Sequence, residues 1–252
     1  MNDAVPDPLG EARELLQLTR FLEELDNSLR SPSSSHALDA DLWRESPGYR
    51  TNRMLGVRHS EGKSTREDCV LQDTMNRLGY DSDENKQSPD GLTRLFGFEW
   101  QRIDLVAATS PGKWRDCVWQ GRYRLDLALE VENNLSEFTL HMRGLLDTHA
   151  LHRVCIFYTE NDDETVLDTM VGTGTGHIQA REWRWRPAGA ETWIPDVSAK
   201  LVAVFVSLNE PRVVAAYSWD TSSPGAPPEL LCEPSSSVAP GTPGERRDGS
   251  SG

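Results

Sequence analysis
The sequence predicts an α/β fold, with α+β as the nearest alternative: a mixed central sheet flanked by helices and extended by additional C-terminal strands. Three observations carry this. Two segments, Phe96 to Ala107 and Val118 to Glu132, alternate apolar and polar residues as half-buried strands do. A helical pattern follows from Leu135 to about Thr148, with Asn134 as its cap and Phe138, Met142, Leu145 and Leu146 as its apolar face. Then comes Val154-Cys-Ile-Phe-Tyr158, a wholly apolar run of the kind buried on both faces of a sheet.

The remaining elements follow in order. Asp7-Pro8 is a cap and first-turn pair, and Leu15, Leu18, Leu22, Leu25 and Leu29 recur at helical spacing, so residues 8–29 read as an amphipathic helix. Arg30 to Ala37 is a serine-rich linker, and Asp39 to Gly62 has no clear period. Ser64-Thr-Arg-Glu67 has the form of a capping box, with Val70, Leu71, Met75 and Leu78 as the apolar face behind it and Gly79 as the stop. Asp81 to Gly91 is a charged loop, and Thr109 to Gly112 is a turn between the two alternating strands. Further strands are expected at Ile178 to Arg186, Leu201 to Leu208 and Val213 to Trp219, after turns at Asp162 to Glu164 and Gly172 to Gly176. Residues 1–60 are expected to be an N-terminal helix and linker, 61–220 an α/β domain, and 221–252 a disordered tail of Ser, Pro and Gly.

Composition narrows the function. The 252 residues carry 40 acidic and 26 basic side chains, a formal charge of −14. Such a surface is a poor general polyanion binder, because non-specific nucleic-acid affinity comes from neutralised phosphates. From Leu92 to Tyr158, however, eight basic residues balance eight acidic ones, so a local nucleic-acid site is permitted. The longest dense apolar run, Leu201 to Val206, is too short to span a bilayer, and the acidic start lacks a secretory pattern. Cys69, Cys117, Cys155 and Cys232 form no C-x-x-C pair. A cytoplasmic protein without membrane contact is the expectation.

The candidate chemistry lies in Arg122 to Asn133. With a period of two, Tyr123, Leu125, Leu127, Leu129 and Val131 share one face, while Arg122, Arg124, Asp126, Ala128, Glu130 and Glu132 share the other. Asp104 falls on the polar face of the preceding strand. Should Asp104 lie opposite Glu130 or Glu132, three carboxylates crowd one patch, and arginines or a divalent cation must relieve them. Asp126, about 13 Å from Glu130 along a strand, is a weaker member.

An Asp on one strand, Glu-x-Glu on the next, then a helix and a buried strand resembles the core of PD-(D/E)XK (restriction-endonuclease-like) nucleases. The residues that carry it are Arg102-Ile103-Asp104, Glu130-Val131-Glu132-Asn133-Asn134, the helix from Leu135, and Val154 to Tyr158. The resemblance implies a restriction-endonuclease-like sheet of αβββαβ type. Asp104, Glu130 and Glu132 would be the catalytic and metal-binding residues for Mg²⁺ (or Mn²⁺), with help from the Val131 carbonyl. The activity implied is endonuclease hydrolysis of nucleic acid, DNA above all, with Lys113, Arg122 and Arg124 on flanking phosphates and room for a homodimer. In this chain Ile103 stands where the family has proline and Glu132 where it has lysine. Glu23, Glu24, Glu67 and Asp68 all stand as acidic donors from an earlier helix.

Bland readings compete. The three acids also fit an exposed polar sheet face with Arg102, Arg122 and Arg124 across from them. Glu137 fits a capping residue, and His141, His149 and His152 show no base–nucleophile pattern. The alternating Arg181-Glu-Trp-Arg-Trp-Arg186 fits core tryptophans as well as base stacking. In function, the alternatives are a non-catalytic binding or scaffold protein of the same fold, meeting a protein partner through its acidic surface, and a metal-binding module without hydrolysis.

Overall fold
Each strand of the central sheet lies beside the strand it follows in sequence. The structure, a computed structural model, describes residues 16–30, 38–60, 63–66, 69–100, 103–118, 123–146, 148, 150–161, 163, 165–169, 171–172, 175, 200–220 and 226–232. Among these, the helices are α1 (Leu18–Arg30), α2 (Ala40–Glu45), α3 (Pro47–Leu55), α4 (Val70–Arg77), α5 (Trp114–Val118) and α6 (Phe138–Leu146). The strands are β1 (Val57–Ser60), β2 (Lys63–Arg66), β3 (Thr93–Trp100), β4 (Ile103–Ser110), β5 (Arg124–Glu132), β6 (His152–Thr159), β7 (Lys200–Ser207), β8 (Val213–Asp220) and β9 (Glu229–Cys232). β1 and β2 form a separate hairpin, and β3 to β9 form a seven-stranded sheet in sequential order. It is mixed: β5, β6 and β7 are parallel neighbours, and every other pairing is antiparallel.

The predicted α/β class with a mixed, helix-flanked sheet holds at this level. Helices cover both faces. On one side α1, α3 and α4 bury Phe21, Leu25, Met54, Leu71 and Met75 against Leu105, Leu129, Ile156 and Val204. On the other, Phe138, Met142 and Leu145 of α6 and Leu167 of a short helical stretch at 165–169 pack on Cys155, Phe157, Ala203 and Phe205. β6 is buried at every position, as its apolar run predicts.

Several boundaries differ from expectation. α1 begins at Leu18: Leu16 and Gln17 precede it without helical structure, and residues 8–15 of the expected helix lie outside the described residues. The segment without a period holds two helices of six and nine residues, too short to show one. Asp39 caps the first, and Ser46 and Pro47 open the second. The expected capping box is a correction: Ser64 to Arg66 pair as β2 with β1, and α4 starts after Cys69, whose thiol accepts from Gln72 N–H at 3.4 Å. Gly79, at φ +83°, does close α4 in the left-handed conformation that glycine tolerates. The single strand expected over Phe96 to Ala107 is the β3–β4 hairpin, its register pinned by Trp100 opposite Ile103. β4 continues through Thr109 and Ser110, where a turn was expected, and α5 occupies the start of the second expected strand.

β7 and β8 match their expected spans, whereas Ile178 to Arg186 and its tryptophans lie outside the described residues. Glu229–Cys232, inside the tail expected to stay disordered, forms β9 on β8, with Leu230 against the core on α6's side of the sheet and Leu231 and Cys232 against the core on α1's side. No helix among the described residues is long and apolar enough to cross a membrane.

Candidate metal centre
One irregularity decides which side chains can meet. In the antiparallel β4–β5 pair, Leu127 lies opposite Ala107 but Leu125 lies opposite Ala108, so Asp126 is the extra residue of a bulge. A bulge resets the alternation of side chains beyond it. Asp126, expected on the polar face, is instead fully buried. Its carboxylate accepts from the Tyr80 hydroxyl at 2.8 Å, the Thr109 hydroxyl at 2.5 Å and the Arg124 Nε at 2.5 Å.

Arg124 is therefore a buried partner of Asp126. It also sits about 20 Å along β5 from Glu130. Lys113 is exposed beyond the far end of β4, a similar distance from Asp104. The structure thus brings neither of these two expected substrate contacts beside the acids, and Arg122 lies outside the described residues.

The acids gather at the other end of β5. Leu105 pairs with Leu129, and continuing that register sets Asp104 opposite Glu130. The two carboxyl groups are hydrogen-bonded to each other, and Asp104 Oδ2 also accepts the Val131 N–H at 2.8 Å. Glu130 and Glu132 alternate with Leu129 and Val131, which pack toward α1 and α4, so they face α6. Glu130 is pushed up to about 8, first by burial and then by Asp104 and Glu132. Burial also raises Asp104, against the hydrogen bonds from Val131 and Glu130. Beside them on β6, opposite Glu130, burial drives the Cys155 thiol well up, and all three carboxylates push it further. One electrostatic neighbourhood thus holds the whole predicted trio.

Glu132 is also engaged by α6 and by the chain just after β5. Its Oε2 lies 2.7 Å from His141 Nε2 on α6, and its Oε1 accepts the Asn134 N–H at 2.7 Å. Glu137 Oε2 is 3.4 Å from the same ring nitrogen. Among the described residues, the group whose ligand atoms gather within 4.8 Å is Glu132, Glu137 and His141. The reasoning from sequence missed the last two. Their spacing of four, which puts them on one helix face, was the available signal. Just beyond β5, Asn133 accepts from Arg50 Nε at 3.2 Å and donates to Thr51 at 2.9 Å, clamping the strand end to α3. Of the earlier-helix donors, Glu23 and Glu24 belong to α1 on the opposite face of the sheet, Glu24 lying 3.9 Å from Arg77, and Glu67 and Asp68 lie outside the described residues.

Comparisons of the chain with protein-family models, curated proteins and solved structures found no match. The residues alone carry the functional reading.

The acid pair has a measurable signature. A carboxyl raised in the folded state contributes stability that is complete below its unfolded pKa, near 4.5, and is lost as pH rises through about 8. Glu130→Gln, which keeps the neutral shape and still donates to Asp104, should therefore melt like the parent at pH 4 and be more stable above pH 8. Discounted for partial exposure, the gain is about 1–2 kcal/mol. Thermal melts at the two pH values check this, and a pH-independent difference would count against the shared proton.

Proposed function
We propose that this chain is a metal-dependent nuclease in which Asp104 and Glu130 hold a divalent cation, Mg²⁺ or Mn²⁺. The observation that carries the reading is the pair of facing, hydrogen-bonded carboxyl groups, one of them raised to about 8. Two acids forced to share a proton fit a hard cation, which replaces that proton and relieves their repulsion. The order α4, β3, β4, β5, α6, β6, interrupted by the short α5 between β4 and β5, supports the reading, since it otherwise follows the αβββαβ arrangement that the resemblance implies. So does the placing of Asp104 at the start of β4 and Glu130 near the end of β5.

When bound, the cation would polarise a phosphate and make a bound water more acidic. The protein's own groups do the rest. The Val131 N–H orients Asp104, and the clamp of Asn133 onto Arg50 and Thr51 fixes the strand end that presents Glu130 and Glu132. Glu132, one oxygen held by Asn134 and the other against His141, adds its negative charge beside the pair.

The buried position of Arg124 favours the second reading, a nuclease-fold protein that binds partners without cleaving, because it removes an expected phosphate contact. The test incubates the purified chain with plasmid, single-stranded DNA and RNA, with Mg²⁺, with Mn²⁺ and with chelator. Cleavage should require the metal. It should fall at least about a hundredfold in Asp104→Asn and Glu130→Gln, each checked for folding by circular dichroism, since such cations supply several kcal/mol to the reaction. Intact substrates under all conditions, or cleavage untouched by both substitutions, would overturn the nuclease reading.

A further inference from the structure
We propose that Glu132, Glu137 and His141 form a binding site for a divalent transition ion of the Mn²⁺, Co²⁺ or Zn²⁺ class, separate from the Asp104–Glu130 pair. It stands whether or not the chain cleaves nucleic acid.

The argument starts from one nitrogen. His141 Nε2 has the Glu132 Oε2 at 2.7 Å and the Glu137 Oε2 at 3.4 Å. A ring nitrogen carries one hydrogen or one lone pair, so it cannot serve two carboxylates fully as a hydrogen-bond donor. A cation between the three atoms is met by all of them at once, and they already lie within 4.8 Å of one another.

The carboxylates are also aimed. Asn134 donates its backbone N–H to Glu132 Oε1 at 2.7 Å and its side-chain Nδ2 to Glu137 Oε1 at 3.2 Å. Each carboxylate thus has one oxygen tied down and the other turned toward His141. Asn134 is itself held, its Oδ1 accepting from the N–H and the hydroxyl of Ser136. Anchoring of this kind, one layer behind the donors, is how proteins orient metal ligands.

The donor set selects the ion. All-oxygen sites suit Mg²⁺, whereas an imidazole nitrogen added to carboxylates favours ions later in the first transition row. Three protein ligands at a partly exposed position also leave coordination sites open for water or a substrate oxygen.

The test uses the full chain, stripped with chelator and dialysed, titrated separately with Zn²⁺, Mn²⁺ and Mg²⁺ by calorimetry and with Co²⁺ by visible absorption. A saturable Zn²⁺ or Co²⁺ site that persists in Asp104→Asn is expected, with Mg²⁺ at least about tenfold weaker in that variant. His141→Ala and Glu137→Gln should each weaken it at least about tenfold, while Asp104→Asn leaves it intact. Glu137 is exposed, so its substitution keeps the fold, which thermal melts verify. Four outcomes would overturn the site: no saturable binding, binding unchanged in both variants, equal affinity for Mg²⁺ in Asp104→Asn, or an equal loss in Asp104→Asn.

Discussion
Asp126→Ala should destabilise the fold by about 3–5 kcal/mol, the usual consequence of removing one member of a buried ion pair. Three groups depend on this carboxylate. The Arg124 guanidinium is almost fully buried and donates to Oδ1, and the Tyr80 and Thr109 hydroxyls both donate to Oδ2. With alanine in place, a cation and two donors are left in the core with no acceptor. Urea unfolding measures the loss. The companion experiment removes the whole network, with Asp126→Leu, Arg124→Leu, Tyr80→Phe and Thr109→Val together. It should recover much of the stability, since fully apolar replacements of buried ion pairs are often neutral. A loss below about 1 kcal/mol in Asp126→Ala alone would show that water reaches this cluster.

Trp43→Ala should be comparably severe, about 3–5 kcal/mol, the range for deleting a large aromatic from a core. Trp43 is fully buried although it belongs to a helix of only six residues. Its indole N–H donates to the Ser207 carbonyl at 3.0 Å, and its ring meets Tyr158 edge-on at 5.6 Å. It therefore ties α2 to the ends of both β6 and β7. Trp43→Phe separates the contributions: it retains most of the packing and loses the hydrogen bond, so a smaller loss of about 1–2 kcal/mol is expected. Equal losses in both variants would mean that the hydrogen bond, and not the ring, holds α2 in place.

The parts of this fold legible in the sequence are those where one period runs uninterrupted. Val154 to Tyr158, Leu201 to Leu208 and the stripe Leu22, Leu25, Leu29 each announce their burial, and each is buried for at least most of its length. What stayed hidden depends on contacts distant in sequence. No residue between Phe96 and Ala107 marks the β3–β4 reversal, because a tight link needs neither glycine nor proline when the flanking register is strong. Ser64 to Glu67 spells a helix start, yet pairing with Val57 to Ser60 prevails over that local preference.

At the site, Asp104 and Glu130 were readable from strand alternation because the bulge lies on the far side of them. Arg124 and Asp126 were not, since a single extra residue reverses every orientation beyond it. Glu137 and His141 were passed over because a capping role and an undistinguished histidine explained each one singly. Their meeting with Glu132 depends on how α6 docks, which no local pattern encodes.

The neighbour-by-neighbour strand order has a kinetic corollary. A growing or refolding chain can lay down most of this sheet by zipping, each new strand closing only a short loop onto the last. One step is different: the 40 residues between Thr159 and Lys200 must be spanned before β7 can join β6. Loop-closure entropy rises slowly with length, by roughly 0.6 kcal/mol per doubling, so the gap slows assembly without forbidding it. The acid-bearing β4 and β5 can thus pair, with β6 alongside, before β7 closes onto β6.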